Sequence, residues 1–206
     1  MGLAHTLALQ LRRPSGWLGR LAGLFFRFNR EGIDWTIDLL DIRPTDRILE
    51  IGFGSGYGIQ QAAAHATQGK VTGVDFSDAM MAQARRRNAA AIAAGRVDLH
   101  QGDAGKLPFP DYTFDKIFAT NVIYFWPDPV ATAKELRRVL KPGGRLALYV
   151  IAKEDLAGIK IVQTGVYTLY NDEELVRVLQ HAGFPRARTE TKSERFRTGL
   201  CGLAEK

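Results

Sequence analysis

Cysteine is almost missing: Cys201 is the only one in 206 residues. That excludes an internal disulfide framework and a cysteine-rich zinc site. A reducing compartment is the simplest expectation, and the cytoplasm the expected location. Histidine is scarce too. The four histidines, His5, His65, His100 and His181, are scattered without metal-ligand spacing, so no metal is expected. No run of roughly 18 apolar residues occurs, which leaves no candidate transmembrane helix. There is no G-x-x-x-x-G-K-[ST] stretch, so a P-loop is not written here. Internal repeats and low-complexity linkers are absent as well. Acid is missing from the start of the chain: nothing negative precedes Glu31, whereas Arg12, Arg13, Arg20, Arg27 and Arg30 fall in or next to that stretch.

What is present fits one globular domain with a real core. Hydrophobic residues make up 46% and charged residues 24%. The net charge of +6 and the sequence pI of about 9.6 permit anionic partners without requiring them. No nucleic-acid recognition module accompanies the charge, so a nucleic-acid substrate is not expected.

The chain is organised around Ile48-Leu49-Glu50-Ile51-Gly52-Phe53-Gly54-Ser55-Gly56-Tyr57-Gly58. It reads as a buried strand running into a glycine turn and then a helix. Glycines at alternate positions let the backbone turn tightly and approach a ligand. Glu50, at the strand end, can accept hydrogen bonds from a cationic or hydroxylated ligand group. The spacing is G-x-G-x-G, and Tyr57 stands where a dinucleotide fingerprint has its third glycine. A second strand, Lys70 to Asp75, ends in another acid. Two such strands with a helix between them form half of a nucleotide-binding α/β unit.

Glu50-x-Gly52-x-Gly54-x-Gly56 followed by Val71-Thr72-Gly73-Val74-Asp75-Phe76-Ser77 closely resembles the class I S-adenosylmethionine (SAM)-dependent methyltransferases. Gly102-Asp103-Ala104 with Leu107-Pro108-Phe109 is similar to that family's adenine-side segment. Leu136 to Leu146, containing Lys141-Pro142-Gly143-Gly144, is similar to its late helix-turn-strand. The resemblance runs in order from about Ile48 to Phe184. Four ordered motifs are far more specific than any one of them. The implied fold is α/β: a doubly wound, seven-stranded, mostly parallel sheet. An antiparallel C-terminal edge hairpin, helices on both faces and an N-terminal helical cover complete it. The implied division is a lid or cover over residues 1–30 and a methyltransferase domain over 31–206. The implied cofactor is SAM, leaving as S-adenosylhomocysteine. Glu50, Gly52, Phe53, Gly54, Gly56, Asp75, Phe76, Met80, Asp103, Ala104 and Asn121 are the cofactor-binding positions the resemblance suggests.

Taken in order, Leu18, Leu21, Ala22, Phe25 and Phe26 fall at helical spacing after the break at Pro14 and Gly16. Three readings stay open for this basic segment: a lid beside the cofactor site, a membrane-surface helix, or a cleaved targeting peptide. Ile33, Ile37 and Leu40 form a second helical stripe, ending before Pro44. The helix from Tyr57 to about Ala66 points free N–H groups at the ligand. Asp75 can accept from both ribose hydroxyls; the plainer reading is a helix cap. Ser77 or Asp78 caps a helix that runs to Gly95. Met80 can face the adenine or fill the core. Arg85-Arg86-Arg87 reads as a solvated face.

Strand three spans about Arg96 to Gln101, with His100 more readily packed than catalytic. Asp103 and the Ala104 N–H match the edge of adenine, or Asp103 is simply a turn acid. Strand four, Phe114 to Ala119, leads into Asn121-Val122-Ile123-Tyr124-Phe125-Trp126-Pro127. Tyr124 and Trp126 can wall a substrate pocket or be plain packing. The loop lacks the [DN]-P-P-[YFW] signature, which argues against an adenine-N6 acceptor. Asp128 caps and Pro129 starts the next helix. Strand five is Arg145 to Ile151, and a short connection, Lys153 to Tyr170, leaves little room for dedicated acceptor machinery. A capping-box start at Asn171 and a stop at Gly183 bound the last helix. Two strands follow, Arg186 to Thr191 and Arg195 to Leu203, turning around Lys192-Ser193-Glu194.

The expected chemistry is direct in-line methyl transfer to a small molecule with apolar parts. No base stands out; Tyr124, His100 and His5 qualify by residue type alone. A lipid head-group acceptor, with peripheral membrane contact through the N-terminal helix, is the alternative. A non-catalytic SAM-binding protein remains a further reading. An NAD(P)-dependent reductase is the rival enzyme, since Tyr149 and Lys153 meet a Tyr-x-x-x-Lys spacing, but they sit at a strand end and Tyr57 replaces the fingerprint glycine. Oligomeric state is left open.

Overall fold

Five apolar segments with few charges become the parallel strands, because a strand buried on both faces needs a near-continuous hydrophobic run. The computed structural model describes residues 2–12 and 29–206. The stripe expected at Leu18 to Phe26 therefore lies outside the described residues. In chain order the elements are α1 (Leu3–Arg12), α2 (Arg30–Leu40), β1 (Arg47–Ile51), α3 (Tyr57–His65), β2 (Lys70–Asp75), α4 (Asp78–Arg87) and α5 (Ala89–Ala93). They continue with β3 (Val97–Gln101), β4 (Phe114–Thr120), α6 (Pro129–Val139), β5 (Leu140–Ile151), α7 (Lys153–Leu156), α8 (Asp172–His181), β6 (Arg186–Glu194) and β7 (Arg197–Glu205). Single 3-10 turns lie at Ile123–Phe125 and Val162–Thr164.

The strands form one seven-stranded sheet in the order β3-β2-β1-β4-β5-β7-β6. Six run in one direction, β6 among them, and β7 runs antiparallel to both of its neighbours. Chain order reverses between β1 and β4, so the crevice beyond their carboxyl ends is where a ligand is received. Each sheet face carries its own core. On one, Leu49, Ile117 and Leu148 meet Leu136 of α6 and Leu175 and Leu179 of α8. On the other, Ile48, Phe118 and Ala147 meet Ile37 and Leu40 of α2 and Ile59 of α3. Among the described residues no helix is long and apolar enough to cross a membrane.

Boundaries differ from expectation in three places. The helix expected to reach Gly95 breaks at Asn88, whose side-chain amide donates to the Gly56 and Ala84 carbonyls and so ties the break to the glycine loop. Strand five starts at Leu140 rather than Arg145, since Leu140 already pairs with Phe114 ahead of a register shift. The last turn is Arg195-Phe196, not Lys192-Ser193-Glu194, because Glu194 pairs directly with Arg197. The caps follow their residue types. Ser77 Oγ accepts from the Met80 N–H at 3.3 Å, Asp128 Oδ1 from the Ala131 N–H at 2.9 Å, and Asn171 and Glu174 close a capping box.

Candidate functional site

The glycine loop leaves β1 at the switch point. Gly52 N–H donates to the Val74 carbonyl at 2.7 Å, which ties the loop to β2. At Gly54, φ is +50°, and a Cβ added there would meet nothing within 4 Å. The backbone is thus bare toward open space. Asp75 holds the loop from the neighbouring strand. Its Oδ2 accepts from the Gly54 N–H and its Oδ1 from the Ser77 N–H, each at 2.9 Å. A carboxylate offers about four lone-pair sites, more than these N–H groups use, so it can still accept from a ligand's hydroxyl. Burial raises the Asp75 pKa, and the N–H groups of Ser77, Gly54 and Phe76 pull it back.

Glu50 lies under the loop, 1% exposed, and its Oε2 has no hydrogen-bond partner among the described residues. Burial drives its pKa well above the ordinary glutamate value; the nearby Asp75 charge adds to the shift, and the Ile59 N–H offsets part of it. Gly58 explains how the acid fits. A Cβ at that first-turn position would overlap the Glu50 carboxylate, so only glycine lets α3 pass so close.

Two cavities adjoin the loop and share Arg12, Gly52, Asp75, Phe76, Val122 and Phe125. The larger, about 620 Å³, adds Asp103 and Ala104 beyond β3, Trp126 and Pro127 after β4, and Leu9 and Gln10 of α1. The smaller, about 90 Å³, adds Met80, Thr120, Asn121, Asn29 and Ile33. A few polar groups in a mainly apolar hollow of this size suit a small organic ligand.

Known proteins give the same picture. The family model for a methyltransferase domain matches residues 49–148. The uncharacterized methyltransferase YdaC of Bacillus subtilis (strain 168) is 31% identical over 173 residues, covering 84% of this chain and 90% of that one. The chain belongs to the S-adenosylmethionine-dependent methyltransferases. Its similarity to 27-O-demethylrifamycin SV methyltransferase of Amycolatopsis mediterranei (strain S699) is 31% over 177 residues, covering 82% of this chain and 64% of the relative. Demethylmenaquinone methyltransferase of Symbiobacterium thermophilum is 39% identical over 125 residues, covering 60% of this chain and 48% of the relative. The methyltransferase thus spans about half to two thirds of those two enzymes. Among solved structures, a SAM-dependent methyltransferase from Aquifex aeolicus superimposes with a TM-score of 0.72 at 20% identity, covering 97% of each chain. The [4+2]-cyclase SpnF reaches 0.73 at 21%, covering 85% of this chain and 80% of that one. Likeness at such identity speaks for the fold alone.

In this methyltransferase, Gly52, Gly54, Asp75, Phe76 and Met80 line one or both cavities, as do Asp103, Ala104, Asn121 and Trp126. Three of the predicted cofactor positions do not. Glu50 and Gly56 lie beneath or behind the loop, and Gly56 is held by α4 through Asn88. Phe53 is 3% exposed and belongs to the core, where it packs over Gly73.

The structure corrects the reading of Tyr124. It is 4% exposed and lines neither cavity. Its hydroxyl accepts from the Ile151 N–H at 2.6 Å and donates to Asn121 Oδ1 at 3.2 Å. Burial raises its pKa far from the range of a useful base. His100 packs edge-on against Phe109, 5.3 Å between centroids, and neither it nor His5 lines either of these two cavities. The residues that sequence reasoning passed over are Leu9, Gln10, Arg12, Val122 and Phe125. The acid-free, leucine-rich start of the chain was the available signal for the first three.

Proposed function

We propose that this methyltransferase binds SAM across Gly52–Gly56, Asp75 and Asp103 and methylates a small, partly apolar molecule. The observation that supports it most is that one cavity joins the two acids to an aromatic wall under α1. The donor fits what the site offers: open space above Gly54, an unmet buried acceptor on Glu50, and spare acceptor capacity on Asp75. Asp75 would hold the ribose hydroxyls. Asp103 and the Ala104 N–H would hold the adenine edge, and Glu50 the cationic amino group. The free N–H groups opening α3 favour the donor's carboxylate. When bound, SAM supplies a methyl group on a positively charged sulfur, already activated for in-line displacement.

The chain's own part is then to align and to exclude water. Phe125, Trp126 and Pro127 form a wall, and α1 closes the cavity through Leu9, Gln10 and Arg12. We read residues 1–30 accordingly as a cover. Among the described residues lining the cavities, the titratable groups are Arg12, Asp75 and Asp103. Residues 13–28 contain no acid, histidine, tyrosine, lysine or cysteine. This favours an acceptor whose nucleophile forms without a protein base, such as a thiolate, a phenolate or an electron-rich ring carbon. Two relatives are named as methyltransferases of small molecules, a demethylrifamycin and a demethylmenaquinone.

The test is calorimetric titration with SAM, S-adenosylhomocysteine and NADPH. Micromolar binding of the first two and none of the third is expected, and NADPH binding in their place would overturn the reading. Asp75→Ala should weaken SAM by about 1–3 kcal/mol; unchanged affinity would remove Asp75 from the site. A panel of thiols, phenols and hydroquinones should then release S-adenosylhomocysteine. Tight SAM binding without turnover on any acceptor would favour a non-catalytic binding protein.

A further inference from the structure

The described residues expose five large hydrophobic side chains, and four of them stand on α1, the turn it packs against and the hairpin tip at the carboxyl end of β5. Leu7 is 51% exposed, Leu9 39%, Ile159 46% and Phe196 87%. Leu7 and Leu9 lie on α1, which packs against the turn Val162–Thr164. Ile159 opens that turn, its carbonyl accepting from the Val162 N–H at 3.0 Å. Phe196 tips the β6–β7 hairpin. This tip belongs to the same end of the sheet, since Gly199 pairs with Ile151 at the close of β5 and the Ala152 N–H donates to the Thr198 carbonyl. The fifth, Tyr112, precedes β4 at the opposite end of the sheet.

Cations alternate with these protrusions. Arg12 ends α1, Lys160 follows Ile159, and the Arg195 guanidinium lies 5.1 Å from the centroid of the Phe196 ring. Arg12, Lys160 and Arg195 are exposed and carry no ion pair among the described residues. Several of the acids on the same rim are occupied. Glu31 pairs with Lys192, Glu194 with Arg197, Glu174 with Lys153, and Asp155 accepts from the Thr198 N–H; Glu154, Asp172 and Glu173 are exposed without an ion pair among the described residues.

We propose that this rim docks on anionic lipid bilayers and that the acceptor cavity opens onto the docked surface. The second half rests on the methyltransferase reading of the cavity. Single apolar side chains on separate protrusions, each beside a cation, match the boundary between phosphate head groups and acyl chains. A protein partner would instead meet a contiguous apolar centre depleted of charge. Leu9 joins the two features, since it is exposed on the rim and also lines the 620 Å³ cavity. An amphiphilic acceptor could therefore pass from bilayer to cavity without crossing water.

The test is co-sedimentation of the full chain with vesicles of equal parts phosphatidylglycerol and phosphatidylcholine, and with vesicles of phosphatidylcholine alone. Binding to the anionic vesicles is expected, weakening as salt rises above about 0.1 M. Phe196→Asp with Ile159→Asp should reduce it at least about tenfold. Arg195→Gln and Lys160→Gln should each cost roughly fivefold. Tyr112→Asp should change nothing. Absence of binding to anionic vesicles, or equal binding by the Phe196 and Ile159 variant, would overturn the proposal. So would a concentration-dependent dimer that those substitutions dissociate, which would give the rim to a second copy of the chain. SAM titration of the same preparations separates the two readings. Intact SAM binding without vesicle binding refutes docking alone; vesicle binding without SAM binding refutes the cavity's part in it.

Discussion

Glu50 is a buried acid whose ionisation is opposed twice, by its lack of solvent and by the Asp75 charge. In the free protein its pKa is raised above the unfolded value. Between those two values the native state holds the extra proton, so unfolding free energy falls as pH rises through that window. A cationic ligand group reverses the preference, because it favours the carboxylate. SAM affinity should therefore rise with pH across the same window, and binding should release a proton. Calorimetry in two buffers of different ionisation enthalpy measures that release; none would mean that Glu50 does not face the donor's amino group. Glu50→Gln separates stability from function at one atom. It should raise the melting temperature of the free protein at neutral pH by about 2–6 °C, while weakening SAM at least about tenfold. A variant that loses stability instead would show that the ionised acid is held by more than the Ile59 N–H.

The loop after β4 depends on elements far from it in sequence. Asn121, at φ +56°, donates its N–H to the Tyr149 carbonyl at 2.8 Å, and Tyr124 clips the end of β5. From Tyr149 the network continues into the hairpin. Its hydroxyl donates to Glu194 Oε1 at 2.5 Å, Arg197 Nε meets Glu194 Oε2 at 2.6 Å, and Arg197 reaches Asn29 Oδ1 at 3.5 Å. Tyr149→Phe takes one donor from a buried carboxylate and should cost about 1–3 kcal/mol in urea unfolding. A loss under about 0.5 kcal/mol would mean that Arg197 alone satisfies Glu194. This network also shows where sequence reading stops. The Tyr-x-x-x-Lys spacing of Tyr149 and Lys153 is real, yet Lys153 pairs with Glu174 at 2.8 Å and Tyr149 is core. Three consecutive aromatics in a loop look alike in sequence. The 3-10 turn Ile123–Phe125 sends Tyr124 inward while Phe125 and Trp126 reach the cavity. The hairpin turn was misplaced because β6 is an edge strand, polar along much of its length, and Lys192-Ser193-Glu194 looks no more like strand than like turn. Arg195-Phe196 carries none of the glycine or asparagine that marks a tight turn.

Across the whole molecule, the parts written locally were legible and the parts made by closure were not. Apolar runs, caps and the ordered motifs give the sheet and its switch point, since each is a property of neighbouring residues. The roof is different: α1 meets at the site residues as distant in sequence as Asp103 and Trp126, and its leucines carry no mark of what they cover. Among the described residues no strand of the sheet lies before Arg47, and Ala8, fully buried, is the core side chain described on α1. Removing residues 1–28 should accordingly leave a cooperatively folded core with near-native circular dichroism. The effect should fall on ligand exchange. Arg12 lines both cavities, so losing α1 uncovers the donor side as well as the acceptor side. SAM release, followed by stopped-flow tryptophan fluorescence with Trp126 in the cavity wall, should quicken about tenfold while association changes little, as expected when contacts closing a site are lost. An unchanged release rate in a folded truncate would show that α1 rests on the site without gating it, and would leave docking as its remaining role.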